Sequence, residues 1–572
     1  MRSTLTYPGL AAEPRRPWRV LAERVWSLAT FGVALAVALP VLVVFSRLMV
    51  PTEGVWSHLL QTVLWDYAWN SVMLALGVAG GVVVIGVGTA WLVTMCSFPG
   101  RATFEWALLL PLAVPTYIIA YTYTDFLQYA GPVQSVLRQL TGWSYGDYLF
   151  PELRSLGGAI TIMALVLYPY VYLLSRAAFL EQSTCALDVG RTLGRSAWGC
   201  FFSVAVPLAR PAIAGGTALA VMEALADFGA VQHFGVSTFT TGIYRTWFSL
   251  GQPVAAAQLA AVLMLFVLLI LTLERASRGP ARFEHTASQR PWQPHRLRGR
   301  RAAFAITACA APIALGFGIP LLVLIEMTVE QGDALLRDMF LQLASNTFTL
   351  AALAAALTAG LALMVGYGLR LRPTPFSRAA ARMASLGYAI PGAVIAIGVL
   401  IPFARLDNAF DAWMRATFGI STGLLLTGTI GVLLFAYLVR FFAVALSATE
   451  AGLAKINHNL DDAARILGQS PTGTLLRVHV PIMWGSVLTA LIMVFVDVLK
   501  ELPATLILRP FDFETLAVRV YRFASEERLA EASTPALAIV LVGLIPVILL
   551  SRAMSRTRRG SATPAPPSSD GV

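Results

Sequence analysis

Lysine is almost missing from this 572-residue chain. Lys455 and Lys500 are its only two, and neither sits in a GxxxxGK[ST] run, so no P-loop of that kind cradles nucleotide phosphates here. Charged residues of all types make up 13%, about half the share of a soluble domain, which excludes an ordinary water-facing surface. Cysteine is scarce too. Cys96, Cys185, Cys200 and Cys309 lie in or beside apolar runs without CxxC spacing, which argues against a disulfide framework or a zinc site and for simple packing. The six histidines are scattered, and His233 in VQHFGV reads as a loop residue rather than a ligand. HExxH and GxSxG are absent, so no nucleophile, base or metal set argues for a membrane-embedded enzyme. Ten-residue segments of period-2 alternation are also lacking, which excludes an outer-membrane barrel.

What the chain has is apolar length. Hydrophobic residues reach 57% and the mean hydropathy is +0.70. Runs such as WSLATFGVALAVALPVLVVF from Trp26 and FAITACAAPIALGFGIPLLVLI from Phe304 are each long enough to cross roughly 30 Å of hydrocarbon as a helix. About twelve spans can be drawn, beginning near residues 26, 70, 103, 156, 209, 255, 303, 346, 381, 424, 483 and 533. The expected fold is therefore all-α and polytopic. Trp26 to Arg47 is too long for a signal h-region and lacks a clear small-residue cleavage site, so it reads as a retained first helix. The net charge of +11 points to topology and anionic lipid rather than nucleic acid, because the arginines cluster at the ends of apolar segments. Their distribution predicts both termini in the cytoplasm. The resulting division is a cytoplasmic segment over 1–25, a first half over 26–274, a basic cytoplasmic linker over 275–302, a second half over 303–551 and a Pro/Ser-rich disordered tail over 552–572.

The halves repeat. Asn70-Ser71 recurs as Asn346-Thr347, and Pro115 in AVPTYIIA recurs as Pro391 in AIPGAVIA, where both prolines could let the bundle flex. A longer match sets DVGRTLGRSAWGCFFSVAVP, from Asp188, against DDAARILGQSPTGTLLRVHVP registered from Asp462. Its identical pairs include Asp188/Asp462, Arg191/Arg465, Gly194/Gly468 and Pro207/Pro481. Each copy combines a short helix, a glycine that ends it, and a second segment running to a proline at the membrane. An even number of spans per repeat makes the two copies parallel, so both motifs face one compartment. By the arginine count that compartment is the cytoplasm.

MEALADFGA, from Met222, places two carboxylates deep in an apolar stretch. Counted from Arg210 along a continuous helix, Glu223 lies about 20 Å and Asp227 about 26 Å up, sharing one face at i, i+4. MVFVDVLKELPATL repeats the pair as Asp497 and Glu501, each 274 positions later. Ionisable groups at such depth usually face a bundle interior or a water-filled path, so the four would line a central pathway. Two plainer readings stand beside it: pairing with Lys500, or hydration at the outer interface. Lys500 is i+3 from Asp497, whereas Ala226 holds the matching place in the first half.

The cytoplasmic segments resemble the EAA motif of ABC-importer permeases, a pattern close to EAAxxxG followed by about a dozen residues and a proline. In that family the loop docks into a cleft of the ATP-hydrolysing subunit. Here the leading Glu is Asp in both copies, and Val189-Gly190 stands in the first copy where two alanines are usual. The resemblance implies ATPase coupling through Asp188, Arg191, Gly194, Pro207, Asp462, Arg465, Gly468 and Pro481. The longer runs EALADFGAVQHFGVSTFTTGIYRTWFSLG and KELPATLILRPFDFETLAVRVY resemble matching segments of bacterial ferric-iron ABC permeases. That likeness implies a type I importer permease fold of two parallel six-helix repeats, fused in one chain in the inner membrane. It further implies two copies of an ATPase subunit that binds ATP, no cofactor in this chain, and a periplasmic binding protein docking on outer loops such as TTGIYR (Thr240 to Arg245) and its counterpart near Tyr521. Similar double permeases handle thiamine and aminophosphonates, and a proton-driven carrier would use the same carboxylates as a relay.

Overall fold

The computed structural model describes residues 17–52, 54–144, 146–181, 192, 196–278, 295–330 and 337–560. Among them, ten helices are long and apolar enough to cross a membrane, or up to twelve if each of two sharply bent pairs counts as one span. Helices prevail because hydrocarbon offers no partner to an unpaired backbone amide, and a helix pairs its own. Strand pairing among these residues is confined to Cys96–Ser97 beside His295–Arg296. That parallel contact puts the loop after the second span and the end of the central linker on the same side.

Helices that frame the centre take labels as follows. In the first half they are α1 (Pro17–Ser46), α2 (Leu64–Met95), α3 (Thr116–Leu127), α4 (Leu156–Glu181), α5 (Val206–Ala226), α6 (Gly229–His233) and α7 (Phe239–Tyr244). In the second they are α8 (Arg337–Leu371), α9 (Gly392–Phe418), α10 (Ile430–Leu453), α11 (Asn459–Ile466), α12 (Trp484–Leu499) and α13 (Pro503–Leu508).

Pro115 and Pro391 do more than kink a span. Each sits just before a helix, α3 or α9, in an extended conformation with ψ 142° and 139°. Proline supplies no amide to continue a preceding helix, so the chain breaks there. In the first half the pieces on either side meet at 90°. The ninth span accordingly begins at Gly392 rather than near 381, and Pro375–Ala384 forms a separate short helix. A second bent pair, Pro471–Ile482 with α12, turns by 84° at Met483, while its first-half counterpart runs unbroken from Trp198 to Ala226.

The first helix of each half is exchanged. Helix α1 packs on the second half: Trp26 meets Tyr367 edge to face at 5.3 Å, Phe31 stacks on Phe376 at 5.1 Å, and Gly398 lies against the Pro40 backbone. Reciprocally, the run Arg300–Glu330 leans on the first half, where Tyr123 Oη donates to the Leu315 carbonyl at 2.6 Å and Gly316 fits against Pro111 and Leu165. Two interlocked cores result, each drawing buried residues from both halves. The described cysteines, Cys96, Cys200 and Cys309, are buried in packing positions.

A carboxylate-lined cavity and an exposed motif loop

Neither carboxylate pair shares a continuous helical face. Helix α5 ends at Ala226, and Asp227 turns extended at ψ 137°. Likewise α12 ends at Leu499 before Glu501. In both halves the second carboxylate starts the next short helix. Asp227 Oδ1 accepts from the Ala230 and Val231 amides at 2.8 and 3.4 Å, ahead of the body of α6. Glu501 accepts from the Ala504 and Thr505 amides at 2.9 and 3.1 Å, at the start of α13. The first turn of a helix leaves amides unpaired and carries a partial positive charge, so a carboxylate satisfies both. That local preference ends the long helices one turn earlier than their hydropathy suggests.

The four side chains nevertheless converge. Glu223, Asp227, Asp497 and Glu501 all line one cavity of about 80 Å³ between the halves, with Tyr117, Tyr170, Tyr388, Arg440 and Lys500 in the same wall. Lys500 Nζ pairs with Asp497 at 2.9 Å. Arg440 Nη1 reaches Glu501 Oε1 at 3.0 Å, both side chains nearly inaccessible, and the Thr505 hydroxyl donates to the same carboxylate at 2.7 Å. Asp227 also accepts from the Thr116 hydroxyl at the start of α3. Among the described residues no group of three His, Cys, Asp or Glu side chains could hold a metal ion. The carboxylates line a space rather than build a chelating centre.

Arg440 is the residue that sequence reasoning missed. Its signal was there, as a lone arginine inside LFAYLVRFFAVAL, because an isolated charge within a span normally has a buried partner. Thr116 and Tyr117 carried no such signal. Their relevance follows from the break at Pro115, which swings the first turn of α3 into the centre.

On the opposite face of the second half, helix α11 carries the repeated motif. It stops before Gly468, whose φ of +79° an L side chain adopts only with strain, and Ser470 then caps the turn that opens with Pro471. Asp462 and Arg465 are exposed and 3.3 Å apart. Ile466 and Leu467 protrude beside them, 86% and 79% exposed. Pro481 lies in the short helix leading to the Met483 bend. In the first copy, Asp188, Arg191 and Gly194 lie outside the described residues, while Pro207 opens α5.

The neighbouring Asp461, also missed from sequence, anchors this loop. Arg370 at the end of α8 donates to Asp461 Oδ2 through Nε and Nη2 at 2.9 and 2.8 Å, and to the Leu453 and Ile456 carbonyls at 2.6 and 2.8 Å. His479, fully buried, meets Asp461 Oδ1 at 2.6 Å. Burial pushes the Asp461 carboxyl up, but the hydrogen bonds and charge of Arg370 and His479 outweigh it and hold the group below the ordinary carboxylate value. One carboxylate thus ties α8, α11, the end of α10 and the segment before the bend.

TTGIYR is not an exposed loop. Thr240 to Tyr244 are buried in α7, Gly242 lies against the Tyr67 ring, and Tyr244 stacks on Phe228 at 3.7 Å; Arg245 alone of the six is exposed. His233 is likewise held in helix α6, 2.9 Å from the Thr124 hydroxyl.

Duplicated, interlocked helical halves around a polar cavity, with an exposed loop helix at one end, define a polytopic transport subunit. The chain belongs to the family of binding-protein-dependent transport system inner membrane components, whose profile matches it twice, over residues 83–276 and 358–559. It is similar to the Fe(3+)-transport system permease protein FbpB 2 of Haemophilus influenzae, 27% identical over 492 residues that cover 84% of this chain and 89% of that protein. It is also similar to the molybdenum transport system permease protein ModB of Escherichia coli K12, 31% identical over 176 residues covering 30% of this chain and 74% of the relative. The sulfate transport system permease protein CysW of the same organism is 31% identical over 163 residues, 28% of this chain and 53% of the relative. The protein is therefore a multi-pass inner-membrane ABC permease, a transport component rather than an enzyme, acting with a periplasmic binding protein and ATPase subunits.

Proposed function

We propose that this permease moves ferric iron from its binding protein into the cytoplasm, through a path that includes Glu223, Asp227, Asp497 and Glu501. The observation that carries this reading is the cavity between the halves, where four carboxylates face two cationic side chains. Hard carboxylate oxygens suit a hard cation, and their excess disfavours an anion. The likeness to a ferric permease over 84% of the chain points the same way.

Two ATPase copies would engage the inner loops, the termini lying in the cytoplasm. Asp188, Arg191, Gly194 and Pro207 would serve one copy, and Asp462, Arg465, Gly468 and Pro481 the other. Closing of the ATPase pair would pull both loops and rock the halves about the cavity, opening it outward to the docked binding protein; hydrolysis would reset it. ATP binds the partner, and this chain needs no cofactor of its own.

The molybdenum and sulfate permease relatives support a second reading, import of a tetrahedral oxyanion. Reconstituted vesicles separate the two. With the ATPase and an iron-loaded binding protein, ATP should drive uptake of 55Fe and not of molybdate. Molybdate uptake without iron uptake would establish the oxyanion reading, and iron uptake without any ATPase would make the protein a carrier.

A further inference from the structure

The repeat makes the two walls of the cavity equivalent in position, yet their charge balance differs. On the second-half wall both carboxylates have a cation: Lys500 on Asp497 at 2.9 Å and Arg440 on Glu501 at 3.0 Å. Offset by the same 274 positions, the first half has Ala226 and Val166 instead, and both of these also line the cavity. Glu223 makes no hydrogen bond or ion pair with a described residue. Asp227 is held by neutral donors alone, the Thr116 hydroxyl and the Ala230 and Val231 amides.

A second, independent feature marks the same wall. Tyr117, 4% exposed and lining the cavity, has a hydroxyl with no hydrogen-bond partner among the described residues. Buried hydroxyls are normally paired, and this one borders the polar cavity with its oxygen uncommitted to any described residue. Two carboxylates without a contact cation and a phenol oxygen form a hard-oxygen surface on one side of a space whose cations are tied by contact to the carboxylates of the other.

We propose that the first-half wall, formed by Glu223, Asp227 and Tyr117, is the face that receives a hard cation in transit, and that Lys500 is a tethered counter-ion closing the second-half wall to it. This deepens the iron-import reading and rests on it. Cargo would meet one acidic face rather than a ring of four carboxylates, which lets it be held weakly enough to leave.

The test moves the tethered charge across the cavity. In vesicles holding the permease, its ATPase and an iron-loaded binding protein, Ala226→Lys should pair with Glu223 as Lys500 pairs with Asp497, and cut 55Fe uptake on the order of tenfold. Ala226→Gln, of similar bulk and no charge, measures the loss due to bulk alone, and Ala226→Lys should fall well below it. Combining Ala226→Lys with Lys500→Met frees Asp497 and should restore much of the uptake, because one wall is open again. Retained co-purification and binding-protein-stimulated ATP hydrolysis show that each variant is assembled. Full uptake by Ala226→Lys, or a double variant as inactive as the single one, overturns the one-wall assignment while leaving iron import standing. Wild-type vesicles that take up molybdate and no iron overturn both.

Discussion

At the scale of single residues, the centre depends on one missing side chain. Gly392 follows Pro391 at the start of α9, and a methyl group added there would collide with the Arg440 guanidinium and the Glu501 carboxylate. The corresponding first-half residue, 276 positions earlier, is Thr116, which donates to Asp227. Gly392 is therefore what allows Arg440 to reach its partner. Gly392→Ala should push the guanidinium and carboxylate out of register, a loss of about 1–3 kcal/mol, read as a lower unfolding temperature in detergent. Asp461 offers a pH-dependent case. Its folded-state pKa is depressed, so its contribution to stability is complete above the ordinary carboxylate value of about 3.9 and drains away as pH falls through the folded-state value. Asp461→Asn should lower the unfolding temperature at pH 7, leaving Arg370 buried without its counter-charge. The gap between variant and wild type should then narrow below about pH 4. A gap that stays constant with pH would show that Asp461 acts by shape alone.

At the scale of elements, α11 presents two neighbouring surfaces with different tasks. Asp461 faces inward to Arg370 and His479, while Ile466 and Leu467 stand in solvent beside Gly468. Large apolar side chains exposed on a well-anchored helix mark a contact surface. Leu467→Asp should therefore weaken co-purification of the ATPase without moving the permease's own unfolding temperature, whereas Asp461→Asn should move both. How much of this could be read beforehand follows from which signals are linear. Spans, the duplicated motif and the four carboxylates were legible because hydropathy and a 274-residue offset live in one dimension. The breaks after Ala226 and Leu499 were not, since capping by Asp227 and Glu501 competed with an apolar pattern that would have continued the helix. Asp461 was passed over for Asp462 because only folding brings Arg370, 91 positions away, to its side.

At the scale of the whole molecule, the exchange of first helices explains why one chain can behave as two coupled halves. Each core contains residues from both, so neither half can tilt without carrying the other's first helix with it. The cavity lies where the halves meet, and the Asp461 anchor connects the loop helix α11 to α8 and α10 through hydrogen bonds of 2.6 to 2.9 Å. Such a linkage transmits a push only if both loops face the same partner compartment, as parallel repeats require. Ser196 and Ser470 are matching, exposed positions of the two motifs. Each replaced by cysteine in a cysteine-depleted chain, they should react with a membrane-impermeant maleimide from one side only, and that side should be the one reached in inside-out vesicles. The added ATPase should then shield both positions. Labelling of the two from opposite sides would make the repeat inverted, and a rocking motion driven from a single compartment could not operate.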